Sequence, residues 1–74
     1  MWYINEEACE LVVHFVEQYE VLEDDIVEFV EKYTDVEIES YMSNKYWFKC
    51  RNEFELDVLT DIIVDKLERL TETY

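Results

Sequence analysis

The chain contains neither glycine nor proline, the two residues that most often interrupt helices and strands. Element boundaries must therefore be read from capping residues and from the spacing of apolar side chains. Apolar residues follow a helical spacing without a break in phase, from Ala8 through Leu11 and Phe15 to Tyr33. This uninterrupted stripe predicts that the N-terminal part of the chain is helical.

Two helices, or one long bent helix, fit this stripe. Asn5 is a favourable N-cap, and it predicts a first amphipathic helix over residues 6–19. Asp25 and Glu28 have the spacing of a capping box, and aspartates weaken helix propensity at that point. Because a single helix of about thirty residues would be about 45 Å long, we favour a break between residues 21 and 24.

From residue 36 onward the apolar period changes from helical to alternating. Val36 and Ile38 alternate with acidic residues, and an aromatic run at 46–48 follows a polar stretch at 43–45. This pattern predicts a two-stranded antiparallel hairpin with a three-residue loop at 43–45. The predicted register gives three outward-facing cross-strand pairs: Glu37 with Arg51, Glu39 with Lys49, and Tyr41 with Trp47.

The last segment has the pattern of one long helix, with Asn52 as its predicted N-cap. Apolar side chains recur at helical spacing along one face: Leu56, Leu59, Ile63, Leu67, Leu70 and Tyr74. A second apolar edge, Phe54, Val58 and Ile62, lies beside that face. The chain is therefore predicted to be a single α+β domain over residues 1–74, with two N-terminal helices or one long bent helix, a two-stranded antiparallel hairpin and a long C-terminal helix.

Charge is the second strong feature of the sequence. The formal net charge is -14 at pH 7, and residues 1–31 hold ten carboxylates with no Lys or Arg. Because half of the residues are apolar, the chain is too hydrophobic to be a disordered acidic tail. The acids fall opposite the apolar stripes, which predicts a folded surface of one sign. The predicted partner-binding residues are Glu17, Glu20, Asp24, Asp25, Glu28, Glu31, Asp35, Asp57, Asp61 and Asp65.

The sequence offers no constellation typical of catalysis or of a metal site. His14 is the only histidine, and Cys9 lies on a different face of the predicted helix, which argues against a Cys-His pair. Cys9 and Cys50 are expected to be free thiols, because a disulfide framework in so short a chain would need more cysteines. Without glycine the chain has neither a calcium loop nor a phosphate-binding loop. We therefore expect a protein without enzymatic activity, cofactor or metal.

Contacts with membranes and nucleic acid are also disfavoured. No apolar run approaches the ~20 residues that a membrane-spanning helix needs, and an anionic membrane surface would repel the chain. The basic and aromatic stretch at 45–51 could stack on single strands, yet the net charge would repel phosphate. These observations predict a cytoplasmic protein that binds neither membranes nor nucleic acid directly.

In size, charge and absence of catalytic motifs, the chain resembles the small acidic DNA-mimic inhibitors of phages and mobile elements, the anti-CRISPR and anti-restriction proteins. The resemblance is one of composition over the whole chain. It implies that rows of carboxylates block the basic nucleic-acid-binding groove of a host defence or DNA/RNA-processing protein, in the host cytoplasm if the chain is phage-encoded. The alternative is a small intracellular adaptor, monomeric or homodimeric, that binds through the apolar edge of Phe54, Val58 and Ile62.

Overall fold

The computed structural model describes residues 1–73, with side chains as far as Arg69. It is an α+β structure with two helices packed on one face of a four-stranded antiparallel sheet. The elements in chain order are β1 (Trp2–Asn5), β2 (Glu10–His14), a 3₁₀ helix (Glu17–Leu22), α1 (Glu23–Tyr33), β3 (Glu37–Met42), β4 (Lys45–Lys49) and α2 (Glu53–Thr73). The strand order is β1-β2-β4-β3, so two hairpins lie side by side with β2 and β4 in the centre.

The predictions of a helix over residues 6–19 and of only two strands are both wrong. Residues 2–14 form the first hairpin instead. Leu11 and Val13 point into the core, while Val12 is 1% exposed on the opposite face, between its neighbours in β1 and β4. A strand that is buried on both faces appears in the sequence as a continuous run of apolar residues. Such a run cannot be distinguished from a buried helix by its period alone.

The first hairpin turns over residues 6–9 without a glycine. Cys9 adopts a left-handed conformation with φ 55°, and its N–H donates to the carbonyl of Glu6 at 3.3 Å. The Asn5 side chain accepts a hydrogen bond from the Ala8 N–H at 3.4 Å. This is the contact expected of a helix N-cap, but here it closes a hairpin loop, so the predicted cap is wrong.

The second hairpin has a different loop from the one predicted. Met42 pairs with Lys45, which leaves a two-residue turn, and Asn44 supplies the left-handed conformation with φ 66°. The extra residue lies instead in a bulge of β3 between residues 39 and 42. The shorter turn and the bulge each change the register by one residue, and a total change of two leaves Ile38 on the same face of the sheet. Ile38 therefore still faces the core, now opposite Phe48.

Two of the three predicted outward contacts of this hairpin are confirmed, although their register is wrong. The ammonium nitrogen of Lys49 lies 3.2 Å from a carboxylate oxygen of Glu39, and the ring centroids of Tyr41 and Trp47 are 5.2 Å apart. The Cα partner of Glu37 is Lys49 rather than Arg51. The two-residue turn and the bulge each shift the pairing by one residue, and together they leave residues 37–39 on their predicted faces.

The later helices follow the sequence more closely. Helix α1 begins at Glu23, inside the predicted break, and the segment before it is a 3₁₀ helix. Helix α2 begins after Asn52, whose side chain accepts a hydrogen bond from the Glu55 N–H at 2.8 Å, which confirms the predicted N-cap. Of the predicted apolar face, Leu70 and Tyr74 lie outside the residues whose side chains the structure describes.

Both helices contribute to the same core. Its members come from the sheet (Leu11, Val13, Phe48), from α1 (Ile26, Val30), from the segments that follow β2 and α1 (Phe15, Val36) and from α2 (Leu56, Leu59, Ile63, Leu67). The outward faces of α1 and α2 therefore belong to one side of the molecule. The outer face of the sheet forms the opposite side.

Cys9 and Cys50 lie opposite each other at the end of the β2–β4 ladder. The register pairs Glu10 with Lys49, and one step further the Cys50 N–H donates to the Cys9 carbonyl at 2.9 Å. Both side chains are half-buried free thiols that pack against the core. Opposed residues of an antiparallel ladder stand about 4.5 to 5.5 Å apart at Cα, which lies within the range that a disulfide spans.

Oxidation of the protein with diamide is therefore expected to join Cys9 and Cys50 within one chain. Each thiol loses a proton and an electron to diamide, which is reduced to the hydrazine. Closing a loop of about 40 residues stabilises the folded state by about 4 kcal/mol in the chain-entropy model. Because burial raises the pKa of the Cys50 thiol to about 11, the reaction should proceed faster at alkaline pH.

Mass spectrometry would detect this bond as the loss of two hydrogens, and thermal unfolding would report the gain in stability. A Cys50→Ser variant is the control and should show neither change. Oxidation that yielded only disulfide-linked dimers would contradict the pairing.

Candidate acidic interaction surface

All ten acidic residues predicted to bind a partner are exposed. We call these ten residues the acidic layer. Three helices and one connecting segment present them: the 3₁₀ helix (Glu17, Glu20), α1 (Asp24, Asp25, Glu28, Glu31), the α1–β3 connection (Asp35) and α2 (Asp57, Asp61, Asp65). The 3₁₀ helix packs against both α1 and α2, so the three helices that carry these acids are neighbours in the fold.

On α1 the acids form a row directly opposite the core. Ile26 and Val30 are fully buried, and Asp24, Glu28 and Glu31 project from the other side of the helix at spacings of four and three. Successive members are separated by about 4.5 to 6 Å along the helix axis. Glu28 is paired with Lys32 at 2.6 Å. In the described part of the chain, neither Asp24 nor Glu31 has a basic nitrogen within 4.0 Å.

A second row of the acidic layer runs along α2. Asp57, Asp61 and Asp65 project away from the core, since Leu59 and Ile63 on the opposite face are buried. Asp65 is paired with Arg69 at 3.0 Å. Among side chains described through residue 69, no basic nitrogen lies within 4.0 Å of Asp57 or Asp61. Glu72, which continues the row in sequence, lies outside the described side chains.

Asp35 does not extend the α1 row as its sequence spacing suggested. Helix α1 ends at Tyr33, and Thr34 is extended with φ -138° and ψ 165°. The Thr34 hydroxyl donates to the Val30 carbonyl at 2.7 Å and accepts from the Val36 N–H at 3.2 Å, which fixes this exit. Asp35 instead lies 3.8 Å from the guanidinium of Arg51.

On the outer face of the sheet, the two lysines contact residues of the sheet itself. Lys49 lies between Glu39 at 3.2 Å and Glu10 at 3.8 Å. Hydrogen bonds from Tyr41 and then Lys49 hold the pKa of Glu39 below its usual range. Lys45 lies over the ring of Trp47, 5.2 Å from its centroid. The cations of the sheet are therefore occupied locally, whereas both helical rows contain acids without basic neighbours.

The apolar edge of α2 is also exposed. Phe54 is 78% and Val58 43% exposed, and Tyr33, at the end of α1, is 74% exposed. These side chains and Ile62 line a groove of about 290 Å³, which we call the apolar groove. Sequence reasoning identified the α2 edge but missed Tyr33, because its spacing assigned it to the buried stripe of α1. Only its position as the last residue of that helix distinguishes it.

The described residues contain no group of three or more His, Cys, Asp or Glu side chains that could hold a metal ion.

No helix in the described part of the chain is long and apolar enough to cross a membrane.

Comparison with protein-family models, with curated proteins and with solved structures finds no match to this chain.

Proposed function

We propose that the protein is a non-enzymatic acidic inhibitor that mimics nucleic acid. It acts in the cytoplasm and blocks the basic nucleic-acid-binding groove of a host defence protein or a DNA/RNA-processing protein. The observation that carries this proposal is the division of charge between the two sides of the fold. The sheet pairs Glu10 and Glu39 with Lys49, while both helical rows contain carboxylates without cationic neighbours among the described residues.

The spacing of the rows suits the basic groups that bind nucleic acid. One DNA strand carries a phosphate about every 3.4 Å along the axis, and the α1 carboxylates recur about every 4.5 to 6 Å. Lys and Arg side chains are long and flexible enough to accommodate this difference. Since α1 and α2 are anchored by buried residues in one core, their rows need no further ordering before they bind.

A binding experiment tests the proposal directly. Immobilised basic nucleic-acid-binding enzymes, such as a restriction endonuclease and an RNA-guided nuclease, would be exposed to the purified protein with and without duplex DNA. We expect capture by at least one enzyme at low salt, loss of capture as salt screens the charges, displacement by duplex DNA, and inhibition of nucleic-acid cleavage. Capture that persisted in excess duplex DNA would contradict mimicry.

An adaptor is the second candidate function, and exposure of Phe54 in the apolar groove favours it. An adaptor that bound mainly through this groove would lose its complex on Phe54→Asp substitution. Its affinity would change little with salt, because apolar burial is not screened. The salt dependence of binding therefore separates the two functions.

A further inference from the structure

The apolar groove and the acidic layer adjoin each other. Ile62 lines the apolar groove and also a neighbouring hollow whose other members are Asp61, Asp65, Lys66 and Arg69. At the opposite end of the groove, Arg51 is shared between Asp35 at 3.8 Å and Glu55 at 2.9 Å, so two carboxylates surround one guanidinium. The groove is thus an apolar depression whose charged neighbours are four carboxylates and three cations: Asp35, Glu55, Asp61 and Asp65 with Arg51, Lys66 and Arg69.

We infer that the groove receives one exposed aromatic or aliphatic side chain from a Lys- and Arg-rich segment of the partner. This inference rests on the proposed function and specifies the chemistry of the partner surface. The partner's cations bind the acidic rows, and the apolar side chain enters between Tyr33, Phe54 and Val58. The volume of about 290 Å³ accommodates one such side chain rather than a whole helix.

The net charge of the protein favours a Lys- and Arg-rich segment in the groove over a second copy of the chain. Two copies would each bring a formal net charge of -14 to the interface, and like charges across an interface oppose association. A basic segment removes that repulsion and fills the apolar depression in the same contact. Three large apolar side chains exposed around one groove are also typical of an interaction site.

Two synthetic peptides test the inference. Both are Lys-rich helical peptides of about fifteen residues; one carries a single central Phe and the other has Ser at that position. Fluorescence anisotropy at several salt concentrations would measure their affinities for the whole protein. We expect the Phe peptide to bind about tenfold more tightly, because burying its ring adds apolar contact. Both peptides should show the same salt dependence.

A pair of variants of the protein locates the effect. Phe54→Ser removes an exposed ring from the groove and should abolish the preference for the Phe peptide. Val21→Ser is the matched control, since Val21 is also highly exposed, at 65%, but lies on the 3₁₀ helix outside the groove. The preference should survive in this control.

The possible failures are distinguishable. Equal binding of the two peptides would overturn the groove assignment and leave the acidic surface intact. Absence of binding by either peptide at low salt would overturn both. A dimer in analytical ultracentrifugation that Phe54→Ser dissociates would show that a second copy occupies the groove, and would also overturn the inference.

Discussion

Substitution of Phe48 by alanine is expected to lower the free energy of unfolding by about 3–5 kcal/mol. The Phe48 ring is fully buried in the central strand β4, opposite Leu11 of β2 and Ile38 of β3. Its removal leaves a cavity beneath both helices. Because a domain of this size has only a few kcal/mol of net stability, most of the variant should be unfolded. Chemical denaturation followed by circular dichroism would measure the change.

Phe54→Ala provides the matched control for this prediction, since it deletes the same side chain from an exposed position. We expect its free energy of unfolding to stay within about 0.5 kcal/mol of the wild type. Equal destabilisation by the two substitutions would show that the core is not arranged as described.

Reversal of the α1 row is expected to have the largest effect on binding. The triple variant Asp24→Lys, Glu28→Lys, Glu31→Lys should weaken binding to a basic nucleic-acid-binding partner by about a hundredfold or more at about 100 mM salt. Three lost charge pairs of about 1 kcal/mol each account for this change. Surface plasmon resonance on the enzymes captured in the binding experiment would measure it.

A control variant with the same net charge distinguishes the effect of where the charges lie from the effect of total charge. Glu6, Glu7 and Glu37 are exposed but lie outside the acidic layer, and reversing all three to Lys gives the same change in net charge. This control should lose much less affinity than the α1 variant. Equal loss in both variants would mean that only the total charge matters, and no loss in either would contradict nucleic-acid mimicry. Thermal unfolding of each variant confirms that the fold is retained.

The sequence was most informative where local signals agreed with each other. Asn52 and the helical spacing from Leu56 to Leu67 predicted the start and buried face of α2 correctly. The exposure of the acidic layer was also predictable, because unpaired carboxylates are rarely buried. Helix α1 began inside the predicted break, where aspartates and a capping spacing coincide.

The N-terminal hairpin was not predictable from local patterns. Leu11, Val12 and Val13 are all buried because β2 lies between β1 and β4, and that neighbourhood depends on residues distant in sequence. The loop at 6–9 lacks the glycine that would have identified a turn. Cys9 instead adopts the left-handed conformation itself. Similarly, Tyr33 joins the apolar groove only because the end of α1 lies beside α2.

In the described part of the chain the helices hold more unpaired carboxylates than the sheet, which gives the molecule an electric dipole. Its negative end coincides with the outward faces of α1 and α2. In the field of a basic groove, the protein would therefore rotate before contact until its helices face the partner. This alignment raises the fraction of productive encounters, and it leaves the opposite side, where Tyr41 and Trp47 lie, pointing toward solvent in the complex.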